Sequence, residues 1–551
     1  SSTHKTSSAA SDVYKRQVLD WNTDVVGLMY ADYDYLEKYA QNKNQKRPFI
    51  LCEYAHAMGN SLGGIKEYWD LFKKYDKLQG GFIWDFQDQG LLTKTKDGRP
   101  YFAYGGDFGP RDIPSDHNFL NNGLIAADKS LNPHMLEAKV AYQNIEFSKT
   151  KILGQIRIKN NHFFKDLSNV IFKWSLVENG SPIEKGTIED ISLSPQEINN
   201  VYIPYKSKIN PHAEFFIHLF ATLKEDEKGL KKGQIIAQYE YPVNKRESPH
   251  ISTISNGEIS KEMKGKEILI SGTNFHITIN TESATLTKYV VDGTEFIKRG
   301  GHINFWRAPV DNDYGAKTPV KYKEWKSIGR KNHNFSYSIN QKNKGEINLN
   351  FNTIILNGDA QLTKNYDIYA NGSIHISNQL IAIKGKHSPI YRFGNQFEIP
   401  EYFSQCQWYG NGPGESYVDR KNAVMVGKYS SSIDNMHTSY ARPQENGNRT
   451  DTRWAKFSNG KGSSIQFISD ELFDFSASHF TQEDLDSGPD KTTTQKHGKL
   501  LSPRKNVYLN IDGYTSGIGC VNSWGALPRE EYQLPYKDYS FNYWIIPSYP
   551  K

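Results

Sequence analysis

Cysteine is scarce in this 551-residue chain. Cys52, Cys406 and Cys520 lie far apart and form no CxxC pair, so neither a zinc site nor a disulfide framework is expected. No block of five like charges occurs, and 67 basic against 61 acidic residues leave a net charge of only +6. A nucleic-acid binder would show a basic stripe, which is missing. Long apolar runs are missing too. The longest, Phe215 to Leu223, contains His218 and falls far short of the roughly 20 residues a membrane helix needs. No partner of either class, nucleic acid or membrane, is expected. What is abundant is aromatic surface chemistry, with 34 Tyr and 10 Trp. Aromatic faces stack on the C–H faces of pyranose rings while their polar edges find hydrogen bonds. With 37% hydrophobic residues, the chain has enough apolar side chains for several packed cores.

Residues 1–17 carry no apolar period and no apolar signal-peptide core, and read as a non-native or disordered leader. The true N-terminus is expected to lie elsewhere.

From Val18 to about residue 145 the pattern is α/β. Val25–Tyr30, Pro48–Tyr54 and Gly81–Trp84 have strand length, and Tyr33–Ala40 reads as a helix. Leu62, Ile65, Tyr68, Trp69 and Phe72 recur at helical spacing. Strand, helix, strand, helix, strand is the signature of a parallel sheet with right-handed crossovers, here fitting the last part of a closed barrel. From about residue 146 the period changes to two. Alternation at Ile156–Ile158, Phe275–Ile279, Ile347–Phe351, Ile374–Ile376 and Val507–Ile511 marks antiparallel strands. Asn179-Gly180, Asp292-Gly293, Asn357-Gly358 and Asn371-Gly372 are the turn signals between them. The expected organisation is the C-terminal part of a (β/α)8 barrel over 18–145, a small β-sandwich over 146–246, a linker over 247–264 and a large β-sandwich over 265–551. Lys224–Gly233 reads as an exposed hairpin loop.

Glu53 ends an apolar strand, on the rim where a (β/α) barrel carries its chemistry. On position alone it could equally be a solvated loop residue or an ion-pair partner. The motifs CEYAHAMGNSLGG, GGFIWDFQDQG, YGGDFG and NGLIAADKS follow in order. After them come RAPVDNDYG (Arg307–Gly315), GNGPGESYVDR (Gly410–Arg420), PQENGNRTDTRW (Pro443–Trp454) and GIGCVNSWG (Gly517–Gly525). In these motifs the chain resembles the long bacterial β-galactosidases of glycoside hydrolase family 2, from Val18 to its C-terminus.

The resemblance implies a retaining exo-β-galactosidase with Glu53 as nucleophile, held about 5–5.5 Å from an acid/base carboxyl. It implies that Tyr30 hydrogen-bonds the nucleophile, that His56 contacts galactose hydroxyls and that Trp84 floors the galactose subsite. It makes Asn122 a ligand of both sugar and sodium, with Phe119 supplying a backbone carbonyl to that ion. Asp116 is a weaker substrate-binding candidate in the same loop. Trp524 is implied in the aglycone subsite, and the neighbourhood of Gly315 corresponds to a loop that moves with ligand. Without the family these would read as a strand tyrosine, a core histidine, a core tryptophan, a turn asparagine and an exposed loop aromatic.

The departure is equally informative. The family's acid/base glutamate follows an asparagine, and no Asn-Glu dipeptide occurs in this chain. The acid/base residue, the Mg2+ ligands and most of the Na+ ligands are therefore expected outside it, and the chain alone is expected to be inactive. The substrate class is β-galactosides; a homo-oligomer is one option for the intact parent, whose oligomeric state the sequence leaves open. Another retaining family-2 exo-glycosidase, or a non-catalytic carbohydrate-binding β-sandwich protein, remain the alternative readings.

Overall fold

A computed structural model describes residues 23–110, 113–188, 191–249, 251, 257–328 and 333–550. The leader read over 1–17 lies outside them.

Three short strands, β1 (Val26–Met29), β2 (Phe49–Tyr54) and β3 (Leu78–Ile83), form a parallel sheet in sequence order. Helices α1 (Tyr33–Gln41) and α2 (Ile65–Lys74) make the two crossovers. Asp32 caps α1 by accepting the N–H of Tyr35 at 2.8 Å, supplying a partner for one of the N–H groups a helix start leaves free. Along α2, Ile65, Tyr68 and Phe72 face inward at the expected spacing. Helix α3 (Pro133–Ala141) closes this segment, with proline at its start where no backbone donor is needed.

Two antiparallel sheets then share one core. One holds β4 (Ile145–Lys149), β5 (Gln155–Asn160) and β8 (Ile198–Tyr202). The other holds β6 (Val170–Glu178), β7 (Ser181–Ile188), β9 (Phe215–Leu223) and β10 (Ile235–Pro242). Ile156 and Ile158 from the first meet Phe172, Trp174 and Leu219 from the second. Strand β9 is the apolar run that was too short for a membrane helix, and among the described residues no helix is long and apolar enough to cross a bilayer. Residues 224–233 form the exposed connection from β9 to β10.

The remaining chain folds into a connected set of 17 strands around one large core. Every alternating segment singled out above is a strand. Asn179-Gly180 and Asp292-Gly293 both have two successive positive φ values, 47° and 78°, then 46° and 72°, as two-residue hairpins require. The stretch 247–264, read as a linker, is corrected at its end. Ser260–Lys264 is a strand paired with Glu267–Ser271. All five of its residues are exposed, so it has no alternation to betray it: a polar edge strand leaves a linker-like sequence.

Candidate active site

Glu53 sits at the C-terminal end of β2, and Tyr30 directly follows β1. The backbone joins them: the Tyr30 N–H donates to the Glu53 carbonyl at 2.8 Å, with Tyr30 at φ 52°. The Tyr30 side chain hydrogen-bonds the Glu53 carboxylate. Burial, then the negative charge of Glu53 and that hydrogen bond, push the phenol far above its ordinary range. Tyr30 thus stays a protonated donor aimed at an anion. Asp85, after β3, adds a smaller push of the same sign, but its own oxygens accept from the Phe86 N–H (2.5 Å) and from Gln89 (3.2 Å).

His56 is 1% exposed and anchors a cluster of rings. Its ring stacks on Phe119 (centroids 5.0 Å apart) and meets Trp524 edge-on at 5.3 Å. Trp524 in turn meets Tyr30 edge-on at 4.6 Å. A chain of hydrogen bonds fixes the imidazole. Asn312 Nδ2 donates to the Ile518 carbonyl (2.9 Å), Ser523 Oγ donates to Asn312 Oδ1 (2.7 Å), and Ser523 Oγ also lies 2.8 Å from His56 Nδ1. Since the serine proton is committed to Asn312, His56 must carry its proton on Nδ1. That leaves Nε2 as an acceptor, facing the Asn122 amide at 3.5 Å. Burial drives the imidazole down to about 3, so it works as a neutral hydrogen-bonding group.

Asn122 Nδ2 also donates to the Phe119 carbonyl at 3.1 Å, while Asn122 Oδ1 is buried with no hydrogen-bond partner among the described residues. An orphaned buried amide oxygen beside a carbonyl suits a hard cation. Two neutral oxygens are only part of a coordination shell, and no group of three acidic, histidine or cysteine side chains completes one among the described residues. Asn122 Oδ1 and the Phe119 carbonyl fit part of a sodium shell.

Trp84 stands one strand over on the same rim, 40% exposed, its N–H on the Tyr54 carbonyl and its own carbonyl accepting from Ala57. Asp116 is exposed at the entry to the turn His117–Leu120, where its backbone carbonyl accepts the Phe119 N–H at 3.1 Å.

Sequence reasoning missed what holds this rim in place. The Asp311 carboxylate, 2% exposed, accepts from Asn118 (2.9 Å), Lys491 (2.6 Å) and Gln444 (2.9 Å). Burial raises its pKa, but Lys491 and Asn118 outweigh burial and hold it below the ordinary carboxylate range. Gln444 reaches back to the Asn60 N–H at 3.0 Å. Gly59, at φ 59°, lies so close that a Cβ there would come within 2.4 Å of Asp311 and 2.5 Å of Gln444. The neighbourhood of Gly315 proves to be a packed helix, α4 (Asp311–Gly315), against Ser523, where a Cβ on Gly315 would meet a carbonyl at 2.0 Å. The motifs RAPVDNDYG and PQENG carry Asp311 and Gln444, and the structure buries their polar side chains.

Comparison with known proteins agrees along nearly the whole chain. Residues 7–147 match the glycosyl hydrolases family 2 TIM barrel domain, 156–244 match β-galactosidase domain 4, and 271–545 match the β-galactosidase small chain. The chain is 30% identical over 515 residues to a β-galactosidase of Priestia megaterium, covering 93% of this chain and 48% of that protein. It is 31% identical over 537 residues to one of Halalkalibacterium halodurans, covering 95% and 50%, and 31% identical over 573 residues to one of Alteromonas mediterranea, covering 94% and 52%. The chain thus spans about half the length of the curated relatives it matches. A solved galactose 1-epimerase from Lactobacillus acidophilus overlays 54% of this chain and 99% of its own at a TM-score of 0.30 and 8% identity, a likeness too slight to carry an argument. With all three regions matched in order, the chain belongs to glycosyl hydrolases family 2.

Proposed function

We propose that this chain supplies the nucleophile half of a retaining exo-β-galactosidase site. The observation that carries the reading is the Glu53 carboxylate paired with the protonated Tyr30 phenol, beside the ring cluster of His56, Phe119 and Trp524. The relatives being named β-galactosidases supports the choice of galactosides. Glu53 attacks the anomeric carbon and forms a covalent glycosyl intermediate. Tyr30 donates to the attacking carboxylate and orients it. Neutral His56 and Asn122 hydrogen-bond sugar hydroxyls, Trp84 floors that sugar, and Trp524 stacks on the leaving group. Asp116 is the weakest of the substrate contacts. Phe119 and Asn122 would hold part of a sodium ion, which supplies a fixed positive charge beside the sugar hydroxyls. The remaining sodium ligands, the Mg2+ ligands and the acid/base carboxyl are proposed to lie beyond these 551 residues. The three-stranded sheet is read as the C-terminal part of a (β/α)8 barrel, and the two β regions as sandwiches.

Alone, the chain is expected to give no turnover of a chromogenic β-galactoside, because retaining hydrolysis needs a second carboxyl to protonate the leaving oxygen and then activate water. Joined to the other half of the protein, it should turn over and be labelled on Glu53 by a 2-deoxy-2-fluoro-galactoside. Glu53→Gln should lose about 10³–10⁶ in rate, the loss seen for an essential nucleophile. Robust Glu53-dependent turnover by the chain alone, or labelling elsewhere, would overturn the assignment.

A further inference from the structure

A second cleft of about 320 Å³ opens in the large β region, away from Glu53. Four neighbouring strands make its floor: β11 (Arg299–Asn304), β12 (Arg392–Ile399), β14 (Val507–Thr515) and the end of β13 (Ser464–Ser478). Register puts two polar rows side by side across that floor. His302, Gln396, Asn510 and Ser476 form one, and Arg299, Glu398, Tyr508 and Ser478 the other. The intervening Phe397, Leu509 and Ala477 point into the core, as the two-residue period of a strand requires. The segment after β13 rises over one side and adds Phe480, Thr481 and Gln482.

These side chains are already held in place. Gln396 Nε2 donates to Asn510 Oδ1 (3.1 Å) and Gln482 Oε1 (3.2 Å), and Asn510 Nδ2 donates to Ser476 Oγ (2.9 Å). Arg299 is neutralised by Glu398 at 2.6 Å, with Asn506 donating to the same carboxylate. Glu445, deeper in the wall, is paired with Arg392 at 2.7 Å. Glu483 also lines the cleft, so an anionic ligand would meet carboxylates. Fixed amides and hydroxyls, paired charges, and the half-buried rings of Tyr508 and Phe480 describe a site for a neutral polyhydroxyl ligand with an apolar face. The volume lies at the small end of ligand pockets, enough for one or two sugar rings. The loop 443–448 touches both places: Gln444 donates to Asp311 at 2.9 Å, while Glu445 and Asn446 line the cleft.

We propose that this cleft is a second, non-catalytic saccharide-binding site taking a neutral pyranose unit. The test titrates the 551-residue chain with methyl β-D-galactopyranoside and with cellobiose, by calorimetry and ligand-observed saturation-transfer NMR. Saturable binding of at least one probe is expected. Asn510→Ala and the cleft-filling Ser478→Trp should each weaken it by about tenfold or more, while Glu53→Gln and Trp524→Ala leave it unchanged. Thermal melts identify any variant that fails to fold, and Gln396→Ala then replaces it. No saturable binding of either probe would overturn the proposal. So would binding lost in Trp524→Ala but kept in the cleft variants.

Discussion

The barrel segment and the large β region differ in how far their order comes from an apolar core of their own. The large region buries whole aromatic side chains, Trp306, Trp325, Trp408 and Tyr543 among them, inside a core of its own. The barrel segment packs one side of its sheet, with Leu51, Tyr54 and Tyr68 fully buried, while Phe82, Trp84 and Phe86 are 64%, 40% and 61% exposed. A parallel sheet is ordinarily covered on both faces. The rim around Glu53 is instead held from outside, by buried polar contacts reaching from the large region to residues 55–64. Arg420 donates to the Ser61 carbonyl (2.7 Å), Gly64 N–H to the Asp419 carbonyl (2.7 Å), and Gly63 N–H to the Gly519 carbonyl (2.9 Å). The difference teaches that the rim of a candidate site can borrow its order from a neighbouring domain through hydrogen bonds, where most of a fold relies on apolar area.

The most direct way to break this comparison is proteolysis. Residues from about 265 onward should survive as a resistant fragment in limited digestion read by mass spectrometry, with the first cuts between Phe82 and Ile113, where apolar side chains face solvent. Early cuts inside the large core would show that the two regions do not differ as argued.

Next in size is the removal of one stitch. Arg307, 2% exposed, makes a bidentate pair with Asp313 (2.9 and 3.0 Å through Nη2) and donates to the Ser516 (2.9 Å) and Gly517 (3.0 Å) carbonyls, which lead into the Trp524 loop. Arg307→Met strands the Asp313 carboxylate in a buried site and should cost about 3–5 kcal/mol in urea unfolding. A loss under about 1 kcal/mol, the value of a surface pair, would mean this network is ornamental.

The large region's core has one oddity that sharpens the contrast. Lys364 is 1% exposed, donates to the Gly301 carbonyl, and lies 5.0 Å over the Tyr366 ring. Burial lowers it from 10.5 to about 7. Because the folded value is the lower one, the unfolded chain binds more protons between those two values. Stability therefore rises with pH through that window, by up to about 1.4 kcal/mol per pH unit. Lys364→Met removes this slope, so its stabilising effect, measured by urea unfolding, should be large near pH 7 and shrink towards pH 10. An advantage that stays flat with pH would show that Lys364 remains charged in the fold.

How much of this was legible in the sequence follows the same divide. Strands that bury one face announced themselves, as Ile347–Phe351 did, because alternation is dictated by the core. Ser260–Lys264 did not, because an edge strand exposed throughout has no such constraint. Glu53, Tyr30 and His56 were legible as members of ordered motifs. Ser523, Asn312, Asp311, Lys491 and Gln444 were not assigned roles, because each acts through partners up to several hundred residues away. Asp116 was legible only as a member of the right loop, and the loop turns it to solvent.

The smallest expected effect lies where the two regions meet. Trp524 belongs by sequence to the large region, yet its ring touches Tyr30 and His56 on the barrel rim and is still 39% exposed. Under the proposed assignment this partly exposed indole stacks on the sugar that leaves, whereas His56 and Asn122 hydrogen-bond the sugar that stays. Trp524→Ala in the joined, active protein should therefore weaken lactose-like inhibitors by about tenfold, a loss of roughly 1.4 kcal/mol, within the range of aromatic stacking. Galactose itself should bind within about twofold of its original strength, since a Trp-to-Ala change on an exposed face leaves the His56–Ser523–Asn312 chain in place. Equal losses for both inhibitors would place Trp524 in the support of His56 instead. The two regions would then meet through the rigidity of the rim, with no contact from Trp524 to the leaving group.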